Sequence, residues 1–126
     1  MKIALIAHDG KKPEMVSFLM KNLKILQSEK ISLVATGTTG KHVEAAGLSV
    51  EKVLSGPRGG DAMIASQVAA GEIQMVLFFR DPMDKHPHEP DILMLMRVCD
   101  VHNIPLATNP ATAELLFRGL KKSQNY

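Results

Sequence analysis

The chain has 126 residues, of which 45% are hydrophobic and 22% charged, a balance that fits one compact domain and excludes a disordered segment. The formal net charge is only +2, and one Tyr, four Phe and no Trp are available to stack on bases, so we expect no nucleic-acid partner. The longest apolar runs, residues 3–7, 75–79 and 92–96, have five residues each against the roughly 20 needed to span a bilayer, so we expect no membrane partner.

The first predicted element is a strand over residues 2–8, which is apolar on both faces like a strand buried in a parallel sheet. It follows Met1 directly, without the longer apolar core and small-residue cleavage site of a signal peptide. The single cysteine, Cys99, excludes an internal disulfide and fits a reducing compartment. These features favour a cytoplasmic protein.

A helix is predicted next, because Pro13 suits a first helical turn and apolar residues from Met15 to Leu26 share one stripe at 3.6-residue spacing. Strands and helices then continue to alternate along the chain. Further strands are predicted over residues 31–35, 50–54, 75–79 and 104–107. Further helices are predicted over residues 41–46, from Asp61 to Gly71, over residues 92–102, and from Asn109-Pro110 to Leu120. This order predicts an α/β fold, an open, doubly wound, parallel five-stranded sheet with helices on both faces, forming a single domain over residues 1–126.

Ligands of such sheets bind beyond the carboxyl ends of the strands, and the loop at residues 36–40 reads Thr-Gly-Thr-Thr-Gly before a helix. Helix N–H groups and hydroxyls there could surround a phosphate, although a plain turn with Thr caps explains the loop equally well. Ser55-Gly56 forms a second loop of this kind, and Lys12 can supply positive charge. Because the full G-x-x-x-x-G-K-[ST] pattern is missing, we expect a small phosphorylated substrate and not a nucleotide.

Asp61 is the candidate general base, since Gly59-Gly60 lets the backbone approach a ligand and aims this carboxylate into the crevice. Taken alone, Asp61 is more typical of an ordinary helix N-cap, and only its convergence with the neighbouring loops favours catalysis. A helix N-terminus stabilises the charged carboxylate and weakens it as a base. We expect the neighbouring carboxylates of Asp9 and Asp81 to offset this effect.

His86 and His88, with Asp84, Glu89 and Asp91 nearby, could form a divalent metal site. The spacing is only weakly specific, and the prolines of this loop would equally suit holding one imidazole over a substrate. We therefore expect no metal. Asp91 is predicted to cap the helix that begins at Ile92 while orienting His88.

Eight segments stand in the order and spacing typical of one family, the methylglyoxal synthases, which the chain resembles over nearly its whole length. The resemblance implies the parallel sheet predicted above and a cofactor-free conversion of dihydroxyacetone phosphate into methylglyoxal and inorganic phosphate. It also implies a homo-oligomer, typically a hexamer, that phosphate often inhibits. The segments are Ile6-Ala7-His8-Asp9, Ala35-Thr36-Gly37-Thr38-Thr39-Gly40, Ser55-Gly56-Pro57, Gly59-Gly60-Asp61, Phe79-Arg80-Asp81-Pro82, Pro87-His88-Glu89-Pro90-Asp91, Cys99-Asp100-Val101 and Pro105-Leu106-Ala107-Thr108-Asn109.

The resemblance also implies roles for single residues. Asp61 matches the base that removes a proton from the hydroxymethyl carbon, His88 matches the residue that contacts the carbonyl and hydroxyl oxygens, and Asp91 would hold its imidazole. Asp9 and Asp81 match acidic residues of the site. The substrate-binding set would be His8, Lys12, Thr36, Gly37, Thr38, Thr39, Ser55, Gly56, Gly60 and His88, with Lys12, Thr38, Thr39 and Ser55 on the phosphate.

The chain departs from the family at Arg58, Ala62 and Met63 and over residues 83–86, positions that border the base. These changes bear on rate and regulation more than on reaction type. An alternative function is an effector-binding regulatory domain like that of the carbamoyl-phosphate synthetase large subunit, which would need only the anion-binding loops. The presence of Asp61, His88 and Asp91 together favours the enzyme.

Overall fold

The computed structural model describes residues 1–84 and 89–123. Two single-turn 3₁₀ helices span Asp9–Lys11 and Gly56–Arg58. The five strands are β1 (Lys2–Ala7), β2 (Ser32–Ala35), β3 (Glu51–Lys52), β4 (Met75–Phe79) and β5 (Leu106–Ala107). The helices are α1 (Lys12–Lys21), α2 (Leu23–Ser28), α3 (Gly37–Ala45), α4 (Gly60–Ala69), α5 (Glu89–Val101) and α6 (Pro110–Ser123).

The strands form one parallel sheet in the order β3-β2-β1-β4-β5. Successive residues of β1 point to opposite faces: Ile3, Leu5 and Ala7 pack with α1, α3 and α6, whereas Ala4 and Ile6 pack with α4 and α5. Helices therefore cover both faces, which confirms the predicted doubly wound fold.

The order of the strands reverses between β1 and β4, which pair in parallel with Ala7 opposite Phe79. The chain leaves β1 towards α1 on one face of the sheet and leaves β4 towards α5 on the other face. A crevice opens where neighbouring strands diverge in this way. The carboxyl ends of β1 and β4 are thus where the topology favours a ligand.

Several predicted boundaries are wrong by a few residues. The first helix is predicted to continue to Leu26, but it breaks at Asn22, whose side-chain amide donates to the Phe18 carbonyl oxygen (2.8 Å). The strand predicted over residues 50–54 pairs only at Glu51–Lys52, at the edge of the sheet. Helix α5 begins at Glu89, so Asp91 lies inside the helix, exposed, and does not cap it.

Cys99 lies fully buried on α5, in the apolar layer between α4, α5 and the sheet. Burial raises the pKa of its thiol to about 11, so the residue stays protonated and belongs to the core, as predicted. Across the described ranges, no helix has the length and hydropathy needed to cross a membrane.

Candidate active site

The loops after β1 and β4 are joined through His8. Its Nδ1 accepts a hydrogen bond from the backbone N–H of Asp81 (2.9 Å), and the ring packs edge-on against Phe78 at 5.3 Å between centroids. A ring nitrogen that accepts a hydrogen bond carries no proton, so the proton of the neutral imidazole is on Nε2. His8 therefore lies at the β1/β4 switch point with a fixed ring orientation.

Lys12 begins α1 and turns its side chain back towards the end of β1. The residue is only 5% exposed, and its Nζ donates to the Ala7 carbonyl oxygen (2.9 Å) and to Asp9 Oδ1 (2.7 Å). The hydrogen bond from Lys12 and the positive charge of Lys12 together hold the pKa of the Asp9 carboxyl below its ordinary value. A buried ammonium is thus held at the carboxyl end of β1.

The Thr-Gly-Thr-Thr segment forms the first turn of α3 instead of a separate loop, because the helix begins at Gly37 and not at residue 41 as predicted. The first N–H groups of a helix have no acceptor within the helix, so they can donate to an anion. Thr38 is exposed, whereas Thr39 is buried. The Thr39 hydroxyl accepts from the Ala7 N–H (3.1 Å) and so ties α3 to β1.

Asp61 lies in the first turn of α4 and does not cap it, since the N-cap position is Gly59, in the left-handed conformation at φ +101°. The side chain is turned inward and the residue is only 1% exposed. Its carboxylate lies against the Cα of Gly56, where an added Cβ would be 3.3 Å from Oδ1. The cap interpretation of Asp61 is therefore wrong, and Asp61 is a buried carboxylate beside a glycine.

These groups surround a cavity of about 140 Å³ at the carboxyl edge of the sheet. Residues that follow four strands form its walls, which brings together residues up to 78 positions apart in the chain, from Ile6 to Asp84. A buried carboxylate and a buried ammonium therefore share one small cavity. The predicted residues that line it are His8, Asp9, Lys12, Thr36, Thr38, Gly56 and Asp61.

Other predicted residues support this cavity without lining it. The N–H of Gly37 donates to the Leu54 carbonyl oxygen (3.2 Å), and Gly60 packs so closely beneath Leu54 that a Cβ would overlap that oxygen. The Ser55 carbonyl oxygen accepts from the N–H groups of Arg58 (3.0 Å) and Gly60 (2.9 Å). These contacts fix the position of the Ser55–Asp61 segment.

Asp81 is half-buried between the β1 and β4 loops and does not line the cavity. Its Oδ1 accepts from the Met83 N–H (3.1 Å), and its Oδ2 lies where a Cβ on Gly10 would be 2.8 Å away. Asp81 therefore shapes the loop that follows β4. His86 and His88 lie outside the described residues.

Asp84 lines the cavity, although the sequence suggested it only as a candidate metal ligand. Its place in the loop after β4 was the available signal, since every such loop opens onto this edge. Within the described ranges, no group of three or more His, Cys, Asp or Glu residues is arranged to hold a metal ion.

A larger cavity of about 470 Å³ lies on the side of β4 that faces α1 and α6. It contains none of the predicted site residues, and its charged lining includes Lys11 and Glu14, which pair with each other at 3.1 Å. The smaller cavity, with its buried carboxylate, is the better candidate for chemistry.

Comparisons with known proteins identify the family of the chain. A sequence model of the family described as "MGS-like domain" matches residues 18–108. The methylglyoxal synthase of Clostridium botulinum (strain Alaska E43) is 54% identical over 119 residues, which cover 94% of this chain and 98% of that protein. The methylglyoxal synthase of Geobacillus thermodenitrificans is 55% identical over 123 residues, covering 97% and 84%.

The fold of the chain is also that of a solved structure. The crystal structure of methylglyoxal synthase from Elizabethkingia anophelis NUHP1 superimposes with a TM-score of 0.85 at 44% sequence identity. The match covers 92% of this chain and 76% of that one.

Proposed function

Since this chain belongs to the methylglyoxal synthase family, the lyases that convert dihydroxyacetone phosphate into methylglyoxal and inorganic phosphate, we propose that the reaction takes place in the cavity beyond β1, β2 and β3. The chain is such an enzyme. The observation that carries the placement is the buried carboxylate of Asp61 in a small cavity that also exposes the Lys12 ammonium. We further propose that residues 1–126 act as one domain.

Asp61 is the general base in this proposal. It takes a proton from the hydroxymethyl carbon of the substrate, and the electron pair left on carbon delocalises onto the carbonyl oxygen to give an enediolate. The proton of the hydroxyl oxygen passes to the former carbonyl oxygen, a transfer in which His88 is proposed to assist by contacting both oxygens. The electron pair left on the former hydroxyl oxygen forms the aldehyde C=O and breaks the carbon–oxygen bond to phosphate, and the enol that remains becomes methylglyoxal when its methylene carbon takes up a proton. The buried surroundings of Asp61 keep competing water away from its carboxylate.

The phosphate end of the substrate lies at the other wall of the cavity. The Lys12 ammonium, the N–H groups of Thr38 and Thr39 in the first turn of α3 and the Thr38 hydroxyl supply positive charge and hydrogen-bond donors at one place. Thr36 completes this wall, whereas the Thr39 hydroxyl acts on it indirectly by holding α3 to β1. A phosphate fixed in this way is oriented for departure when the enediolate collapses.

His8 donates its Nε2–H to a substrate oxygen, since its Nδ1 already accepts the Asp81 N–H. His88 is proposed from the family resemblance to contact the carbonyl and hydroxyl oxygens, with Asp91 near it. Asp9 and Asp81 are the further acidic residues of the proposed site. No cofactor takes part in the proposed mechanism.

Assembly and regulation are also proposals. We propose a homo-oligomer, a hexamer by family resemblance. We also propose that inorganic phosphate inhibits it by binding to the phosphate wall, the side of the cavity formed by Lys12, Thr36 and Thr38. An effector-binding domain without chemistry is disfavoured, because relatives more than half identical over nearly the whole chain are synthases.

The test is turnover of dihydroxyacetone phosphate by the parent protein and by Asp61→Asn, with methylglyoxal and phosphate both measured. Asn keeps the size of the side chain but removes the basic oxygen, so turnover should fall by about 10²–10⁴. Thermal melting should change little. Exchange of the hydroxymethyl protons in deuterated water should be lost together with phosphate release.

Glu44→Gln is the matched control, since it removes one carboxylate charge from an exposed ion pair with Lys52, away from the cavity. It should turn over like the parent. Retained proton exchange with lost phosphate release in Asp61→Asn would assign Asp61 to the elimination step and another carboxylate to the base. Activity should survive EDTA, and a loss that zinc restores would favour a metal-dependent reaction at His86 and His88.

A further inference from the structure

The ammonium of Lys12 is covered by a carboxylate of the protein itself. Lys12 Nζ lies 2.7 Å from Asp9 Oδ1, and its second hydrogen bond goes to the Ala7 carbonyl oxygen at 2.9 Å. Both Asp9 and Lys12 line the cavity. The Asp9 carboxylate therefore already pairs with the ammonium that the proposed function assigns to the substrate phosphate.

The two partners of this ion pair are held very differently. The Lys12 side chain is 5% exposed, whereas the Asp9 side chain is 98% exposed. Within residues 1–84 and 89–123, Lys12 is the only hydrogen-bond partner of the Asp9 carboxylate. The Asp9 side chain can thus rotate into solvent without disturbing the core, while the ammonium stays in place.

We propose that Asp9 is an internal competitor of phosphate, which pairs with Lys12 when the cavity is empty and is displaced when a phosphate group binds. The inference rests on the proposed function, in which Lys12 binds phosphate. A phosphate dianion and a carboxylate on one ammonium repel each other at short range. Since only the carboxylate is mobile, the incoming dianion displaces it.

Competition of this kind sets a threshold for binding and speeds release. Anions that bind Lys12 weakly do not displace Asp9, so they do not bind at the Lys12 ammonium. After the reaction, return of Asp9 to Lys12 offsets part of the cost of losing the phosphate product. Asp9 is in this sense a residue that determines how tightly phosphate groups are held, and it does not act on the reacting carbon.

The experiment is a double-mutant cycle on the affinity for inorganic phosphate, measured by calorimetry on the parent, Asp9→Asn, Lys12→Met and the double variant. Asp9→Asn should bind phosphate about fivefold more tightly, the size expected for an ion pair with one exposed partner. Lys12→Met should bind at least about tenfold more weakly. In the Lys12→Met background, Asp9→Asn should change the affinity by less than about twofold.

Glu14→Gln is the matched control, since Glu14 pairs with Lys11 at the same i,i+3 spacing, at 3.1 Å and outside the cavity. It should leave the phosphate affinity unchanged. If Lys12→Met melts well below the parent, Lys12→Gln replaces it, because its amide can still donate to the Ala7 carbonyl oxygen.

The outcomes separate the two proposals. Parent-like phosphate affinity in Lys12→Met would overturn the proposed phosphate wall and this inference with it. Weakened binding in Lys12→Met with no gain in Asp9→Asn would overturn the competition alone. A gain in Asp9→Asn that persists without Lys12 would mean that Asp9 repels phosphate through space, which also contradicts competition.

Discussion

The segment after β1 (residues 8–12) and the segment after β3 (residues 55–61) border the same cavity but are stabilised in different ways. In the first, charge is held by one ion pair between a buried Lys12 and an almost fully exposed Asp9. In the second, Gly60 packs closely against the Leu54 carbonyl, and Gly56 leaves room for the buried Asp61 carboxylate. An ion pair distinguishes the first segment, and close packing around two glycines distinguishes the second.

The contrast teaches which substitutions each segment tolerates. An ion pair with one almost fully exposed partner contributes little to stability, because water solvates and screens the exposed charge. A glycine packed against a carbonyl oxygen cannot be enlarged unless the backbone moves. Changes of charge after β1 should therefore alter affinity, whereas changes of volume after β3 should alter the fold and the position of the base.

Gly60→Ala should have the largest effect on stability. The added Cβ would overlap the backbone carbonyl oxygen of Leu54, which cannot rotate away as a side chain could. We expect the free energy of unfolding to fall by about 1–3 kcal/mol, measured by urea denaturation. Gly119→Ala is the control, since its Cβ would meet nothing within 4 Å on α6 and should stabilise by up to about 1 kcal/mol. Equal stabilities for the two variants would contradict steric control.

Gly56→Ala should leave the fold intact and impair the chemistry. Its Cβ would lie 3.3 Å from Asp61 Oδ1 and 3.6 Å from Oδ2, so the carboxylate has to shift by a few tenths of an ångström. We expect kcat to fall by roughly tenfold, because small misplacements of a reacting group are costly. Steady-state kinetics with a phosphate titration checks this, since phosphate affinity should hold while kcat falls. A parent-like kcat would place the base elsewhere.

Asp9→Asn should have the smallest effect on stability, about 1 kcal/mol or less at neutral pH. The pKa of Asp9 in the folded protein lies below its ordinary value of 3.8, so the ion pair stabilises the fold above that value. This contribution is lost as the pH falls through the folded-state pKa. Urea denaturation at decreasing pH should therefore show the difference between parent and variant closing below pH 3.8. A difference that widens there would mean that the assigned direction is wrong.

The fold was predictable because its strands are short apolar runs that alternate with amphipathic helices. Residues 75–79 were predicted as a strand with the bounds that β4 has, since five consecutive apolar residues are typical of a strand buried on both faces. The edge strand β3 was overestimated, because only Glu51 and Lys52 find partners across from β2. Local sequence cannot reveal how far a neighbouring strand extends.

The residues that form the site were largely predictable from the sequence, but their arrangement in space was not. The first turn of α3 uses Gly37 and Thr38, residues with poor helix propensity, so a loop was the natural expectation. Contacts distant in sequence, such as the hydrogen bond from Ala7 to Thr39, hold that turn in place. Likewise, Asp61 looked like a cap because a sequence shows neither that Gly59 takes the cap position nor that the carboxylate turns inward.

The pairing of β1 with β4 has a consequence for how the chain folds during synthesis. The hydrogen bond from the Asp81 N–H to His8 joins residues 73 positions apart, and the strand that covers one side of β1 emerges only after β2 and β3. Until then the three-stranded sheet has β1 as an open edge, whose unpaired backbone N–H and C=O groups are prone to pair with other chains. Folding of β4 onto β1 closes that edge and assembles the switch point in the same step, so aggregation resistance and ligand binding should arise together.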